Sequence, residues 1–245
     1  MKRVTLLHTN DMHGRLSDKR ARALLELKQS LAEPVVLDAG DALAAGNLYP
    51  NPFGEPILER MGRVGYDAMC LGNREFHLLS SVLKWKLGGC RHEVLSANLR
   101  VRRGESPPVG RVWRRTLSNG VRTCVFGLTL PMVTRQMRIA KVASLFLDDP
   151  LEVGEALARE LRPECDLLIA LTHLGLARDK ELLERAPEID LVVGGHSHTP
   201  LEEPLKVGRA YVVQAEPWAR GAGLMSVIMS AGRMVRAEGE LVALT

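Results

Sequence analysis

Val4-Thr5-Leu6-Leu7-His8-Thr9-Asn10-Asp11-Met12-His13-Gly14 is the stretch that decides the fold. Val4 to Leu7 is a short apolar run, of the length of a buried strand and too short for a helix. It stops abruptly in polar residues that carry chemistry. The same pattern recurs four times. Val35-Val36-Leu37 runs into Asp38-Ala39-Gly40-Asp41, and Asp67 to Leu71 runs into Gly72-Asn73-Arg74-Glu75. Asp166 to Leu171 is followed by Thr172-His173, and Leu191-Val192-Val193 by Gly194-Gly195-His196-Ser197-His198.

Helical patterns separate these strands. Leu24, Leu25, Leu27 and Leu31 have helical spacing within Arg22 to Leu31. Further helices are predicted over Pro56 to Val64, Phe76 to Leu87 and Asp179 to Arg185, and over Leu151 to Leu161, entered through Asp148-Asp149-Pro150. Short apolar strands alternating with amphipathic helices predict an α/β fold whose sheet is covered on both faces. Two segments break the alternation. Arg111 to Leu128 reads as a hairpin turning at Ser118-Asn119-Gly120, and Ala210 to Leu244 reads as three successive strands. They imply a mixed sheet or a two-sheet sandwich. With no repeat and no break in composition, residues 1–245 are expected to form a single domain.

Composition narrows the class. At 46% hydrophobic and 25% charged residues the chain is that of an ordinary globular protein, which excludes disordered, collagen-like and disulfide-scaffold architectures. No apolar run approaches the roughly 20 residues of a membrane span. Val4 to Leu7 is too short for the core of a secretory leader. The cysteines Cys70, Cys90, Cys124 and Cys165 form no C-x-x-C pair and read as free thiols of a reducing compartment, so a cytoplasmic location is expected. Charge is uneven: Arg100 to Lys141 holds ten basic residues and one acid, Glu105, a net of about +9. Only Trp113 and Phe126 interleave with these cations as stacking residues, so a solvated arginine-rich face is favoured over a nucleic-acid surface.

The carboxyl ends of strands in open α/β sheets are where ligands bind. Here those ends deliver Asp11, Asp41 and Asn73 as oxygen donors and His13, His173, His196 and His198 as imidazoles. Seven such groups are too many for one divalent ion and suit two ions sharing a carboxylate, with Asp41, central in the series, as the natural bridge. The mixed nitrogen and oxygen set suits manganese, zinc or iron. Each element alone is weak, since a lone Gly-Asn is commonly a turn. Their joint order, each after an apolar strand, is specific.

These residues carry a family resemblance. Asp11-x-His13, Gly40-Asp41, Gly72-Asn73-x-Glu75, His173 and Gly195-His196-x-His198 resemble the calcineurin-like metallophosphoesterases. His8-Thr9-Asn10-Asp11-x-His13-Gly14, Ser96-Ala97-Asn98 and Gln214-Ala215-x-x-Trp218 are similar to the 5′-nucleotidase branch. The resemblance implies a four-layer α-β-β-α sandwich with two metal ions. It assigns Asp11, His13, Asp41 and His198 to one ion and Asp41, Asn73, His173 and His196 to the other. It implies in-line attack on phosphorus by a metal-activated water, with no covalent enzyme intermediate.

The chain departs from the family after the third strand. The family reads Gly-Asn-His-Glu, often followed by Phe-Asp, and its His and Asp form a dyad. Here Arg74 replaces that His, and His77 replaces that Asp. Arginine stays protonated, so it can clamp a phosphoryl oxygen but cannot act as a general acid. His77, with a pKa suited to proton donation, is the candidate donor to the leaving oxygen. The C-terminal domain that supplies base stacking in secreted 5′-nucleotidases is not expected in these residues, and aromatics at 4% leave little material for a nucleobase clamp. His8 is expected beside the first strand end and His92 at the surface.

The leading expectation is therefore a dinuclear hydrolase of a small phosphomonoester, a nucleotide being one candidate. The neighbouring reading is a phosphodiesterase on cyclic nucleotides or nucleic-acid ends. The non-enzyme reading is a metal-binding module that engages a partner through the 100–141 segment.

Overall fold

The computed structural model describes residues 1–46 and 49–245. β1 (Lys2–Thr9) leads into α1 (Asp18–Gln29), which Ser17 caps by accepting the Arg20 amide. β2 (Val35–Asp38) precedes α2 (Pro56–Val64), which has proline in its first turn and ends at Gly65 with φ +76°. There follow β3 (Ala68–Cys70), α3 (Ser80–Lys86), β4 (Glu93–Leu95), β5 (Leu99–Val101), β6 (Val112–Thr116), β7 (Arg122–Thr129) and β8 (Leu145–Leu147). α4 (Pro150–Leu161) is capped by Asp149, whose carboxylate accepts the Leu151 and Glu152 amides. The chain continues through β9 (Leu167–His173), α5 (Leu176–Arg185), β10 (Leu191–Val193), β11 (Leu205–Val207), β12 (Ala210–Val213), β13 (Gly221–Ser230) and β14 (Arg233–Ala243).

The strands form two six-stranded sheets, ordered β14-β13-β1-β2-β3-β4 and β11-β12-β10-β9-β7-β6, with β5 and β8 as a separate pair. In the first, β1 to β4 run parallel while β13 pairs antiparallel with β1. In the second, β7, β9, β10 and β12 run parallel, with β6 and β11 antiparallel at the edges. Strand alternation divides the side chains among three cores. Val4, Leu6, Val35 and Leu37 pack between the sheets against Ile169, Leu171, Leu191 and Val193. Their neighbours Leu7, Val36 and Met69 face Leu24, Leu58, Met61 and Leu83 of α1, α2 and α3. Phe126, Leu168, Ala170 and Val192 face Leu157, Leu161 and Leu182 of α4 and α5. The result is the expected α-β-β-α sandwich.

Several boundaries differ from the sequence reading. The helix expected over 76–87 is confined to α3. Residues 73–75 form a turn closed by the Phe76 amide on the Gly72 carbonyl, and residues 76–79 stay non-helical, with the Leu79 amide on His77 Nδ1. The helix predicted from Arg22 starts at Asp18 because Ser17 caps it, and that predicted from Asp179 starts at Leu176. Three-residue strands such as β4, β8 and β11 are too short to show a period. His92 is half-buried against the Tyr66 ring at 5.9 Å, both its nitrogens shielded from solvent, and burial lowers its pKa to about 4. His8 does lie beside the first strand end, its ring filling the space above Gly223 that a side chain there would need.

All four cysteines are free. No helix among the described residues is long and apolar enough to cross a membrane. Folding neutralises much of the arginine stripe: Arg100 pairs with Asp148, Arg114 with Glu164, Arg115 with Glu33 and Asp67, and Arg122 with Asp166.

Candidate metal centre

Because the central strands of each sheet are parallel, their carboxyl ends share one edge. Asp11 and His13 follow β1, Asp41 follows β2, Asn73 follows β3, His173 ends β9, and His196 and His198 follow β10. The loops after β1 and β2 stay hydrogen-bonded beyond the strands. The Asp11 amide donates to the Gly40 carbonyl at 2.9 Å, His13 to Asp41 at 2.9 Å and Gly14 to Ala42 at 2.7 Å. That ladder sets Asp11 and His13 beside Asp41.

Two clusters result, Asp11 with His13 and His198, and Asp11 with Asp41 and His173. In the first, His13 Nε2 and His198 Nε2 are 3.2 Å apart, and they lie 3.8 and 3.2 Å from Asp11 Oδ1. A point equidistant from three atoms so spaced is about 2.0 Å from each, the bond length of a zinc-like cation to imidazole or carboxylate. Asp11 Oδ1 is buried and accepts no hydrogen bond. A bare carboxylate oxygen in such a place is costly unless a cation meets it.

The second cluster is built around a fixed tautomer. His173 Nδ1 lies 2.8 Å from the Ala39 carbonyl, which can only accept, so this nitrogen carries the proton. In the neutral ring the Nε2 lone pair then faces two oxygens, Asn73 Oδ1 at 3.1 Å and Asp41 Oδ1 at 3.3 Å. Three electron-rich atoms converging in this way fit a cation held among them. The His196 ring stands edge-on to His173 at 5.1 Å. Asp11 is common to both clusters, whereas the sequence reading puts Asp41 at the bridge. The charges of Asp11 and Asp41 both act on His13 and on His196.

The backbone is strained where it presents these groups. Asp11 (φ 50°), His13 (φ 47°), Asp41 (φ 56°), His196 (φ 75°) and His198 (φ 50°) all adopt the left-handed region. Non-glycine residues rarely do so, and such strain gathers at functional sites. Burial, reinforced by the Arg74 charge, lowers the His13 pKa to about 4, and burial also lowers that of His196. Both imidazoles are thus neutral near pH 7, the form that binds a metal.

The supporting residues explain the motifs. Glu75 is fully buried and accepts the amides of Asp41 (2.9 Å), Leu43 (3.0 Å) and Gly72 (2.9 Å), which locks the Asp41 turn. A Cβ at Gly72 would overlap Asp41, so only glycine fits. Asn10 donates to Asp11 Oδ2 at 2.9 Å and accepts the Ala215 amide at 2.7 Å. Gln214 braces the β10 loop, donating to the Gly195 carbonyl at 3.1 Å and accepting from Ser197 Oγ at 3.1 Å. The Trp218 amide donates to the Asp11 carbonyl at 2.8 Å, and its ring meets His198 edge-on at 5.2 Å.

Lys86 is a supporting residue that sequence reasoning missed. It is buried, and its ammonium donates to the carbonyls of Arg74, Phe76 (3.4 Å) and Gly46 (3.2 Å). It therefore ties the loop bearing Asn73 to the loop after Asp41. Its place in a helical pattern gives no sign of this, because its partners are backbone atoms of other segments. Of the dyad replacements, Arg74 reaches the centre. Its amide donates to Asp41 Oδ1 at 2.7 Å, Nη1 donates to the Ala44 carbonyl at 3.0 Å, and Nε lies 3.9 Å from Asp41 Oδ2. His77 is half-buried in the segment that follows, Nδ1 accepting the Leu79 amide at 3.0 Å, and burial lowers its pKa.

The chain is 29% identical over 264 residues to a trifunctional nucleotide phosphoesterase of Bacillus subtilis, a match that covers 91% of this chain and 18% of that protein. It is 27% identical over 266 residues to a 5′-nucleotidase of Vibrio vulnificus, covering 90% of this chain and 48% of that one. The fold superposes on a 5′-nucleotidase precursor of Thermus thermophilus with a TM-score of 0.84 and 28% identity, over 99% of this chain and 54% of the other. The chain thus spans about half or less of the length of these relatives. Residues 4–200 match the family model described as calcineurin-like phosphoesterase, and with the geometry of the strand-end residues this places the chain in the calcineurin-like phosphoesterase family.

Proposed function

We propose that this domain hydrolyses phosphomonoesters, with nucleotides in the substrate class, using two divalent cations. Asp11, His13, Asp41 and His198 would hold one, and Asp41, Asn73, His173 and His196 the other. The observation that carries the reading is Asp11 Oδ1, buried and without a hydrogen bond, 3.2 Å from the His198 nitrogen. The imidazole and carboxylate donors suit manganese, zinc or iron. Bound there, such ions supply an acidified water and neutralise charge on phosphoryl oxygens.

The chain's own residues do the rest. Glu75 and Lys86 hold the Asp41 and Asn73 loops in position. Arg74, with a side chain about one-third exposed at the rim, donates to a phosphoryl oxygen and stabilises the charge that builds there. Permanently protonated, it moves no proton. His77, whose Nδ1 accepts the Leu79 amide and so leaves the ring neutral, offers its Nε2–H to the leaving oxygen as a hydrogen bond that stabilises the charge developing there. The 5′-nucleotidase and nucleotide phosphoesterase relatives support the substrate class. The free cysteines support a cytoplasmic location.

The test is hydrolysis of a chromogenic phosphomonoester and phosphodiester with added manganese, beside Asp41→Asn. Metal-dependent turnover of the monoester, lost in the variant, is the expected result. Preference for the diester would make the domain a phosphodiesterase. No turnover with two metals bound would make it a partner-binding module.

A further inference from the structure

We infer that the domain has a second anion site, outside the metal centre, that binds the phosphate groups of a small polyphosphorylated ligand. The site is a cavity of about 390 Å³ lined by Arg102, Arg135, Arg138 and Lys141, with Gln136 and Phe146. A concavity of that size lies within the range of small-ligand pockets. Four cations line it, and no carboxylate does among the described residues. The contrast with the rest of the basic stripe is informative. Arg100, Arg114, Arg115 and Arg122 each have a carboxylate within 3.2 Å, so folding consumes them. Asp148 pairs closely with Arg100 at 2.8 Å and more loosely with Arg135 at 3.8 Å, so one lining cation is partly balanced while Arg102, Arg138 and Lys141 make no ion pair among the described residues.

Two of the cations are held in place. Arg102 donates to the Ala140 carbonyl, which ties β5 to the 138–141 turn. The Arg135 guanidinium sits 4.5 Å above the Phe146 ring. Four like charges around one concavity, two of them anchored, repel one another, and an anion placed among them relieves that repulsion while accepting several charge-assisted hydrogen bonds. A ligand with several linked phosphates matches this better than a single-stranded nucleic acid. Bases need an open ring to stack on, but Phe146 is buried and already covered by Arg135. The cavity's segment leaves the same sheet edge as the metal centre, since the Leu130 amide after β7 bonds to the His173 carbonyl at 3.2 Å. The inference does not rest on hydrolysis.

The test is calorimetric titration of the full chain with sodium tripolyphosphate, in low salt and without added metal, against wild type and Arg138→Gln/Lys141→Gln. Both residues are exposed, so an unchanged Tm is expected; should the double variant not fold, Arg138→Gln alone is used. Binding that weakens about tenfold or more in the variant, with a smaller salt dependence, supports the site. Equal affinity in wild type and variant, or no binding to wild type, overturns it. So does a thymidine oligonucleotide that displaces tripolyphosphate at lower phosphate concentration, which would make the face a nucleic-acid surface.

Discussion

His173 Nδ1 and the Ala39 carbonyl, 2.8 Å apart, determine which nitrogen of His173 faces Asn73 and Asp41. One hydrogen bond between β9 and the loop after β2 fixes the tautomer and turns Nε2 toward Asn73 and Asp41. His173 is fully buried, whereas the His198 side chain is 32% exposed at the rim. On the proposed two-ion reading, alanine at either position is expected to lower bound metal from about two ions to about one. His173→Ala should also cost about 2–4 kcal/mol of stability, and His198→Ala less than about 1 kcal/mol. Elemental analysis with denaturant melts of the metal-free proteins separates the two effects.

Glu75 acts through the amides it gathers. Glu75→Gln keeps the shape but sets an NH₂ group or a weaker acceptor against the Asp41, Leu43 and Gly72 donors. The expected result is a loss of about 1–3 kcal/mol and metal binding weakened about 10–100-fold. Chemical denaturation and metal titration read the two quantities.

Lys86 should behave as a positioning residue. Lys86→Met keeps much of the buried stem but frees the Arg74, Phe76 and Gly46 carbonyls. On the proposed activity, kcat is expected to fall about 10–100-fold, and metal affinity to weaken. Lys86→Arg, with a cation in place but a different geometry, should recover part of the loss. Unchanged metal affinity in Lys86→Met would remove it from this role.

Arg74 and His77 separate by which kinetic constant they move. Arg74→Ala should raise KM and the inhibition constant of inorganic phosphate about tenfold or more if, as proposed, the guanidinium contacts a phosphoryl oxygen. Arg74→Lys should recover only part, because the paired N–H geometry is lost. His77→Ala should lower kcat on an ester with a poor leaving group and leave an activated aryl ester unaffected. Equal rates on the poor ester would end its role.

Asp179 makes stability depend on pH. It is fully buried, one oxygen accepting from Thr172 Oγ1 at 2.7 Å and the other without a partner, and burial pushes its pKa up to about 7. Between about pH 4 and 7 the folded state therefore holds a proton that the unfolded chain has released. Its contribution falls as pH rises through that window, by up to about 1.4 kcal/mol per pH unit, and levels off above pH 7. Asp179→Asn should flatten that part of the curve relative to wild type, as measured by urea melts across pH 4–8.

The sequence by itself determined the alternation of strands and helices, the hairpin at Ser118-Asn119-Gly120, and the residue types at each strand end. Apolar runs, turn residues and helix caps act over a few neighbours, so their signals stay local. Parallel order then carried Asp11, His13, Asp41, Asn73, His173, His196 and His198 to one edge. Only the tertiary structure decided that His13 meets His198, 185 residues away, around Asp11, and that five of these residues sit in left-handed conformations. It alone buried Lys86 beneath the Asn73 loop, kept His13 neutral, paired four arginines of the basic stripe with carboxylates and gathered four other cations of it around a cavity. Desolvation and charge pairing depend on what lies across space, and a linear pattern does not record it.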